Sequence, residues 1–177
     1  MNDLIEELDA SQWEVLRGLR LTALADSPAA FWSSHAQEAA YRQHDWMEFV
    51  NAAIWLVARP ATADRSAAFR PGPVGMLGLL RRPELPTEPE IISMWVAPPA
   101  RRHGVASHLL RAAVTRSAAD GARAVTLWVL ETNDAAAHLY RRHGFHFTGE
   151  QIPLPRDPGL IELRMQKTLE VDGPGGQ

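Results

Sequence analysis

In the first fifty residues, apolar side chains recur every three or four positions, which is the period of an amphipathic α-helix. The clearest run begins at Trp13 and should end near Pro28, because the residue before a proline is disfavoured in a helix. Asp9 and Gln12 have the spacing of a capping box before this helix. Leu4–Leu8 predicts a short strand at the beginning of the chain.

A second helical region follows, and beyond it the pattern changes. Ser33 and Ser34 are alternative caps for this region, which should reach about Ala52 with a break near Gln43–His44. Short apolar runs bounded by glycine, proline or charged residues then predict strands. The predicted strands are Ile54–Ala58, Val74–Leu80, Ile91–Val96, Ala124–Leu130, Phe145–Gly149 and Leu160–Lys167.

Two further helices are predicted between the later strands. They are Gly104–Ala119, followed by a terminating Gly121, and Asn133–His143, which stops at Gly144. Strand–helix–strand crossovers predict some parallel pairing, whereas the consecutive strands before them predict antiparallel pairing. We therefore expect one α/β (α+β) domain over residues 1–170, with a mixed central sheet flanked by helices.

Three segments are predicted to lack regular structure. Arg59–Pro73 and the proline-rich Ile152–Gly159 should be loops that connect strands. The tail Val171–Gln177 is rich in glycine and proline, so we expect it to be disordered.

Composition narrows the class of protein. The chain is 46% apolar and 22% charged, as in soluble globular proteins, and its net charge of −3 gives no reason to expect nucleic acid. The absence of cysteine excludes disulfides, thiolate zinc sites and a cysteine nucleophile. Met1–Leu8 is too acidic for a signal peptide, and no run of about 18 apolar residues occurs. We expect no membrane span and a cytoplasmic location.

The segment RRHGVASHLL, which begins at Arg101, joins a predicted strand to a predicted helix. The first amides of a helix are unpaired and form its positive end, so they suit a phosphate or pyrophosphate. Gly104 and Ala106 keep the backbone accessible, while Arg101, Arg102 and His103 add positive charge. Neither a Walker loop nor a Rossmann fingerprint is present. A solvated basic surface turn is the competing interpretation.

Three residues of the later segment ETNDAAAHLYRRHGF share one helix face. Asn133, Ala136 and Tyr140 stand at positions i, i+3 and i+7. Asn133 offers an amide to a peptide-like ligand, and Tyr140 offers a hydroxyl proton. The simpler alternatives are that Asn133 only caps the helix and that Tyr140 only packs.

Together the two segments resemble the GCN5-related N-acetyltransferase (GNAT) superfamily. The family's cofactor loop, roughly [RQ]-x-x-G-x-[GA], matches Arg101 to Ala106, with alanine where glycine is also common. The family's later pattern, N-x-x-A-x-x-x-Y-x-x-x-G-F, is matched by Asn133, Ala136, Tyr140, Gly144 and Phe145. The resemblance is clearest from about Ile91 to Gly149.

This resemblance implies a sheet of six or seven strands, splayed at its middle, with acetyl-CoA bound in the splay and no metal. Family members often form homodimers. The backbone of Met94, Trp95 and Val96 would bind the pantetheine arm, and the amides of Arg102–Ser107 would hold the pyrophosphate. The residues that the resemblance places at the cofactor are Met94, Trp95, Val96, Arg101, Arg102, His103, Gly104, Val105, Ala106, Ser107, Asn133 and Ala136.

The implied reaction is direct transfer of the acetyl group to a primary amine. An alkylamine with a pKa of about 10 must first lose a proton, and a backbone N–H must stabilise the oxyanion. Tyr140 would act as the general acid toward the thiolate. Glu90 and Glu131 rank first as the general base. The remaining alternatives are His35, Glu38, His138 and chains of water.

The N-terminal half is expected to select the acceptor. Phe31 and Trp32 are adjacent aromatic residues beside a helix break, so they are expected to wall a substrate pocket, although core packing also explains them. The leading hypothesis is an acetyltransferase for a small-molecule amine. The alternatives are acetylation of a protein N-terminus or lysine, and a non-catalytic acyl-CoA-binding module.

Overall fold

Seven strands form one mixed sheet in the computed structural model, which describes residues 4–60 and 72–170. Their order across the sheet is β1-β2-β3-β4-β5-β7-β6. The strands are β1 Leu4–Leu8, β2 Ala53–Arg59, β3 Gly75–Arg82, β4 Leu85–Val96, β5 Ala124–Leu130, β6 His146–Leu154 and β7 Asp157–Thr168. The α-helices of the described segments are α1 Trp13–Asp26, α2 His35–Ala39, α3 Gln43–Asn51, α4 Val105–Ala119 and α5 Asp134–Arg142. No helix in these two segments is both long and apolar enough to span a membrane.

The pairing of β4 with β5 is parallel and very short. It joins Glu90 to Thr126 and Ile91 to Leu127, whereas every other neighbouring pair of strands is antiparallel. Beyond Ile91 the two strands are no longer paired, although β4 continues to Val96 and β5 to Leu130. The expected mixed sheet with a splay at its middle is therefore confirmed.

The two faces of the sheet are covered by different helices. Strand residues point alternately to opposite faces, so Trp55 and Val57 join one core while Leu56 and Ala58 join the other. The first core includes apolar side chains of α1 and α3, and the second includes those of α4 and α5. The sheet is thus buried on both sides.

Most predicted helices and strands are confirmed, and the corrections concern the residues at which they begin and end. Ser34 caps α2, and the second helical region is broken between Ala39 and Gln43. The loop predicted at Ile152–Gly159 is wrong, because β6 and β7 form a hairpin there. Pro153 is tolerated because β6 is an edge strand, where a missing N–H need not pair.

The structure does not describe most of the predicted loop Arg59–Pro73 or any of the predicted tail. Residues 61–71 of the expected loop and the whole expected tail fall outside the described residues. Strand β4 begins at Leu85 rather than at the predicted Ile91, because it forms a long hairpin with β3.

A buried ion pair joins the N-terminal helices to the sheet. Arg20 and Glu38 are 5% and 1% exposed, and the Arg20 Nε lies 2.9 Å from the Glu38 Oε2. Arg20 also donates hydrogen bonds to the hydroxyls of Ser33 and Ser93, each at 2.9 Å, and its guanidinium lies 4.6 Å from the centre of the Phe31 ring. Because Ser93 belongs to β4, this pair fixes α1 and α2 against the strand that borders the splay. The Glu38 carboxylate is bound in this network, so it is not retained as a candidate base.

Arg20→Met should destabilise the protein by about 3–5 kcal/mol, because it leaves the Glu38 carboxylate buried and unpaired. The free energy of unfolding in urea measures this cost. Arg17→Met, on the exposed face of the same helix, is the matched control and should change stability little. Adding Glu38→Met to Arg20→Met should recover part of the loss. Equal stabilities of the Arg17 and Arg20 variants would contradict this account.

Candidate active site

A cavity of about 1280 Å³ opens where β4 and β5 separate. Its walls are the ends of these two strands, the first turn of α4 and one face of α5. Side chains from the segment between α1 and α2 close its far end. The cavity therefore brings together the two sequence segments that were singled out for their chemistry.

The β4 side of the cavity presents unpaired backbone. Ser93 has a positive φ of 56°, and the register between β3 and β4 shifts at this point, which marks a β-bulge. Met94, Trp95 and Val96 follow the bulge and line the cavity, and the ladder with β5 has already ended at Ile91. The backbone groups on this edge thus face the cavity instead of a strand.

The N-terminus of α4 forms an anion-binding cradle. Gly104, the residue before the helix, has a φ of 88° and provides no side-chain cap, and Arg102 has a φ of 66°. The amides of Val105, Ala106 and Ser107 therefore lie at an uncapped helix end that lines the cavity. Successive amides in such a turn, together with the helix dipole, favour a phosphate or diphosphate.

The charged side chains of this turn have separate roles. Arg101 forms an ion pair with Asp26, and its Nε donates to the Val96 carbonyl at 2.9 Å. The same Asp26 accepts from the Trp95 indole at 2.9 Å, so Arg101 holds the turn against β4. Arg102 is exposed and lines the cavity. His103, expected at the cofactor, is exposed outside the lining, so its side chain is not retained there.

One face of α5 forms the opposite wall. Asn133, Ala136 and Tyr140 all line the cavity, as their spacing predicts. The Asn133 side chain also caps the helix by accepting from the Ala136 amide at 3.1 Å. Tyr140 is only 6% exposed, and burial raises its pKa to about 12. The phenol therefore keeps its proton at neutral pH.

Two buried carboxylates lie at the far end of the cavity. Glu90 accepts from Nε and Nη2 of Arg82, both at 3.1 Å, so both of its oxygens are paired. Glu162 of β7 accepts from the Trp32 indole at 2.6 Å. Burial raises the pKa of Glu162, and the charge of Glu90 raises it further, while the hydrogen bond from Trp32 lowers it.

Glu162 is not among the site residues predicted from the sequence. Glu162 stands in an alternating strand pattern in which its polar neighbours suggest a solvated face, yet it is buried and accepts a hydrogen bond from Trp32 of a distant segment. Glu131, ranked among the expected bases, is exposed in the turn before α5 and does not line the cavity. It is too solvated for the expected role and is not retained.

The predicted aromatic pair, Phe31 and Trp32, closes the far end of the cavity, which we call the acceptor end. Phe31 is buried beneath the Arg20 guanidinium, whereas Trp32 is 47% exposed and lies at the mouth of the cavity. His138 is exposed but lines the cavity, whereas His35 is exposed on α2 outside it. Within the described segments, side chains spaced to hold a metal ion occur together at His44, Asp45 and Glu48 on α3, away from the cavity.

The hydroxyl of Tyr140 should remain protonated at about pH 10 in the folded protein, because burial raises its pKa. Ultraviolet absorbance of tyrosinate in wild type and Tyr140→Phe measures this. The two native proteins should absorb equally at that pH, and unfolding in denaturant should reveal the extra tyrosinate of the wild type. Greater absorbance by native wild-type protein would contradict the buried state of this phenol.

The fold is shared with solved structures of known proteins. The chain is similar in structure to an acetyltransferase of the GNAT family from Streptococcus pneumoniae, with a TM-score of 0.74 and 20% identity over 96% of this chain and 100% of that one. It is similar to a Salmonella typhimurium protein described as an acetyltransferase and solved with its cofactor acetyl-CoA, with a TM-score of 0.72 and 17% identity over 100% and 98% of the two chains.

A third similar structure is the ribosomal-protein-alanine N-acetyltransferase of Brucella melitensis, with a TM-score of 0.69 and 23% identity over 94% and 99% of the chains. These likenesses establish the fold. A search of curated proteins found no match. The family model described as the acetyltransferase (GNAT) family matches residues 21–145, which is most of the chain. The protein is therefore an acyltransferase that belongs to the GNAT family of acetyltransferases.

Proposed function

We propose that this protein transfers the acetyl group of acetyl-CoA to the primary amine of a small molecule. The observation that carries the proposal is that three features border the same cavity. An uncapped helix end suited to a diphosphate, an unpaired strand edge and a protonated tyrosine all border the same space. The acetyl-CoA bound in the Salmonella structure, which has the same fold, supports this assignment.

The residues present fit the co-substrate. The amides from Arg102 to Ser107 suit its diphosphate, because the left-handed turn leaves them without side-chain caps. The backbone of β4 from Met94 to Val96 suits the amide groups of its pantetheine arm. Asn133 and Ala136 of α5, which line the cavity, would face that arm. Acetyl-CoA supplies the thioester from which the acetyl group leaves.

A backbone N–H of β4 beyond the bulge would stabilise the oxyanion as it forms on the acetyl group. Such a donor is effective because the strand holds it in place before the reaction begins. The hydroxyl of Tyr140 would face the departing sulfur. Its pKa of about 12 lies above that of an ordinary thiol, so the phenol stabilises the thiolate mainly by donating a hydrogen bond. The sequence predicts that Tyr140 is a general acid, and its raised pKa favours the narrower role of a hydrogen-bond donor to the sulfur.

The acceptor end favours a small amine. Phe31, Trp32 and Trp128 line a walled pocket there, and the buried carboxylate of Glu162, whose hydrogen-bond donor is the neutral Trp32 indole, suits a cationic ammonium. Free small molecules fit such a walled pocket better than an extended peptide does. The expectations of a cytoplasmic location and of a homodimer stay predictions that rest on the resemblance.

Release of free thiol from acetyl-CoA, measured with a panel of amines, tests the proposal. The panel holds an amino sugar, a polyamine, free amino acids and a peptide that begins with alanine. At least one free amine should give a higher kcat/KM than the peptide. Tyr140→Phe should lower kcat about a hundredfold and leave the Kd for acetyl-CoA unchanged, because the lost hydrogen bond acts on the departing sulfur.

Tyr41→Phe is the matched control, since Tyr41 is the other of the two tyrosines and does not line the cavity. It should keep the wild-type rate. A strong preference for the peptide would favour acetylation of proteins. Binding of acetyl-CoA with no thiol release from any amine would instead identify a non-catalytic binding module.

A further inference from the structure

The two buried carboxylates of the acceptor end differ in what binds them. Both oxygens of Glu90 accept hydrogen bonds from the Arg82 guanidinium. Glu162 accepts one hydrogen bond from Trp32, at its Oε2. Within residues 4–60 and 72–170, the Glu162 Oε1 accepts no hydrogen bond. The lone pairs of this oxygen are therefore available to a ligand, whereas those of Glu90 are already engaged.

We propose that Glu162, positioned by Trp32, is the residue that takes the proton from the ammonium group of the acceptor. This inference rests on the proposed function. It replaces the ranking from sequence, in which Glu90 and Glu131 came first. Both oxygens of Glu90 are engaged by Arg82, and Glu131 lies outside the cavity.

The proton balance of the step is simple. The ammonium loses one proton to the Glu162 carboxylate, and the freed nitrogen lone pair forms a bond to the carbonyl carbon of the thioester. The carbon–sulfur bond breaks, and its electron pair leaves on the sulfur. The second proton of the attacking nitrogen ends on that sulfur, giving the amide and a thiol. Glu162 then releases its proton to water and is ready for the next acceptor.

Trp32 positions the Glu162 carboxylate at the mouth of the cavity, where solvent can receive the proton. Its indole N–H holds the Glu162 Oε2 at 2.6 Å, while 47% of the residue is exposed at the mouth of the cavity. The preceding Phe31 packs under Arg20, which fixes the start of this segment. The carboxylate is thus 5% exposed yet lies beside a solvated side chain.

The charges around Glu162 allow a test that is specific for its titration. Its neighbours on β5 and β6, Leu130 and Ile152, are uncharged. The titratable and charged side chains that line the same cavity as Glu162 include Glu90 of β4, Arg82 of β3, Arg20 of α1, and His138 and Tyr140 of α5. A second, smaller cavity that shares Trp32, Arg82 and Glu90 with the first adds Glu88 of β4 and Arg164 of β7. The charge of Glu90 raises the pKa of Glu162, whereas the Trp32 hydrogen bond lowers it.

The pH dependence of kcat/KM, measured with an active amine from the panel, tests the inference. Glu162→Gln should lose at least about a hundredfold in kcat/KM at neutral pH, and the deficit should shrink as the pH approaches the pKa of the amine. The Kd for acetyl-CoA should not change. Glu150→Gln removes an exposed carboxylate from the neighbouring strand and should behave like wild type.

Two further variants should move the acidic limb of the profile in opposite directions. Trp32→Phe removes an interaction that lowers the pKa of Glu162, so the limb should move to higher pH. Glu90→Gln removes an interaction that raises this pKa, so the limb should move to lower pH. A purely structural role for Glu162 would produce neither shift, and these two variants keep the test valid if Glu162→Gln fails to fold.

The inference is overturned if Glu162→Gln keeps the wild-type rate and profile, or if Glu90→Gln abolishes the acidic limb that Glu162→Gln retains. Either result would leave the proposed function intact, since the wild-type protein would still acetylate the amine. If the wild type releases no thiol with any amine, the proposed function itself fails and this inference fails with it.

Discussion

The short parallel contact between β4 and β5 is the constraint on which the rest of the structure depends. Only two residue pairs join these strands, so the sheet opens at its middle, whereas the strands on either side of the opening form longer antiparallel ladders. The opening exposes a strand edge that would otherwise be satisfied by a neighbouring strand. Helix α4 connects the same two strands, so its N-terminus also lies at the opening.

Two ion pairs keep this opening in shape from opposite sides. Arg101 and Asp26 hold the turn before α4 against the end of β4. Arg20 and Glu38 hold the N-terminal helices against the bulge at Ser93, where the unpaired edge begins. The first pair is partly exposed and worth little by itself, whereas the second is buried, and breaking it is costly. Both ion pairs therefore bear on β4, the strand that the acceptor side and the cofactor side share.

Sequence alone predicted the elements that depend on local patterns. The helix caps and the residues facing the cavity from α5 follow from spacing along one segment, as with Asn133 and Tyr140. The Ile152–Gly159 loop was misjudged because prolines mark turns in most contexts, and only the edge position of β6 makes Pro153 compatible with a strand. The residues of α5 that face the cavity were easier to predict than the residues at which the strands begin and end.

Contacts between distant segments were beyond the reach of the sequence. The Glu162 carboxylate is buried by Trp32, a residue 130 positions away, and no local pattern marks that pair. Arg82 and Glu90 are only eight positions apart, yet their pairing depends on the β3–β4 hairpin, whose full length was not predicted. The partners of the two carboxylates at the acceptor end therefore depend on tertiary packing and could not be predicted from the sequence.

The most direct test of the central claim is a titration of isotope-labelled protein with acetyl-CoA, followed by its backbone amide spectrum. The largest shifts should fall at Ser93–Val96, at Arg102–Ser107 and on the cavity-facing side of α5, while β1 and α3 should remain unchanged. That pattern would show that the opening between β4 and β5 holds the co-substrate. Binding that shifts other amides and leaves both borders of the opening unchanged would contradict the account.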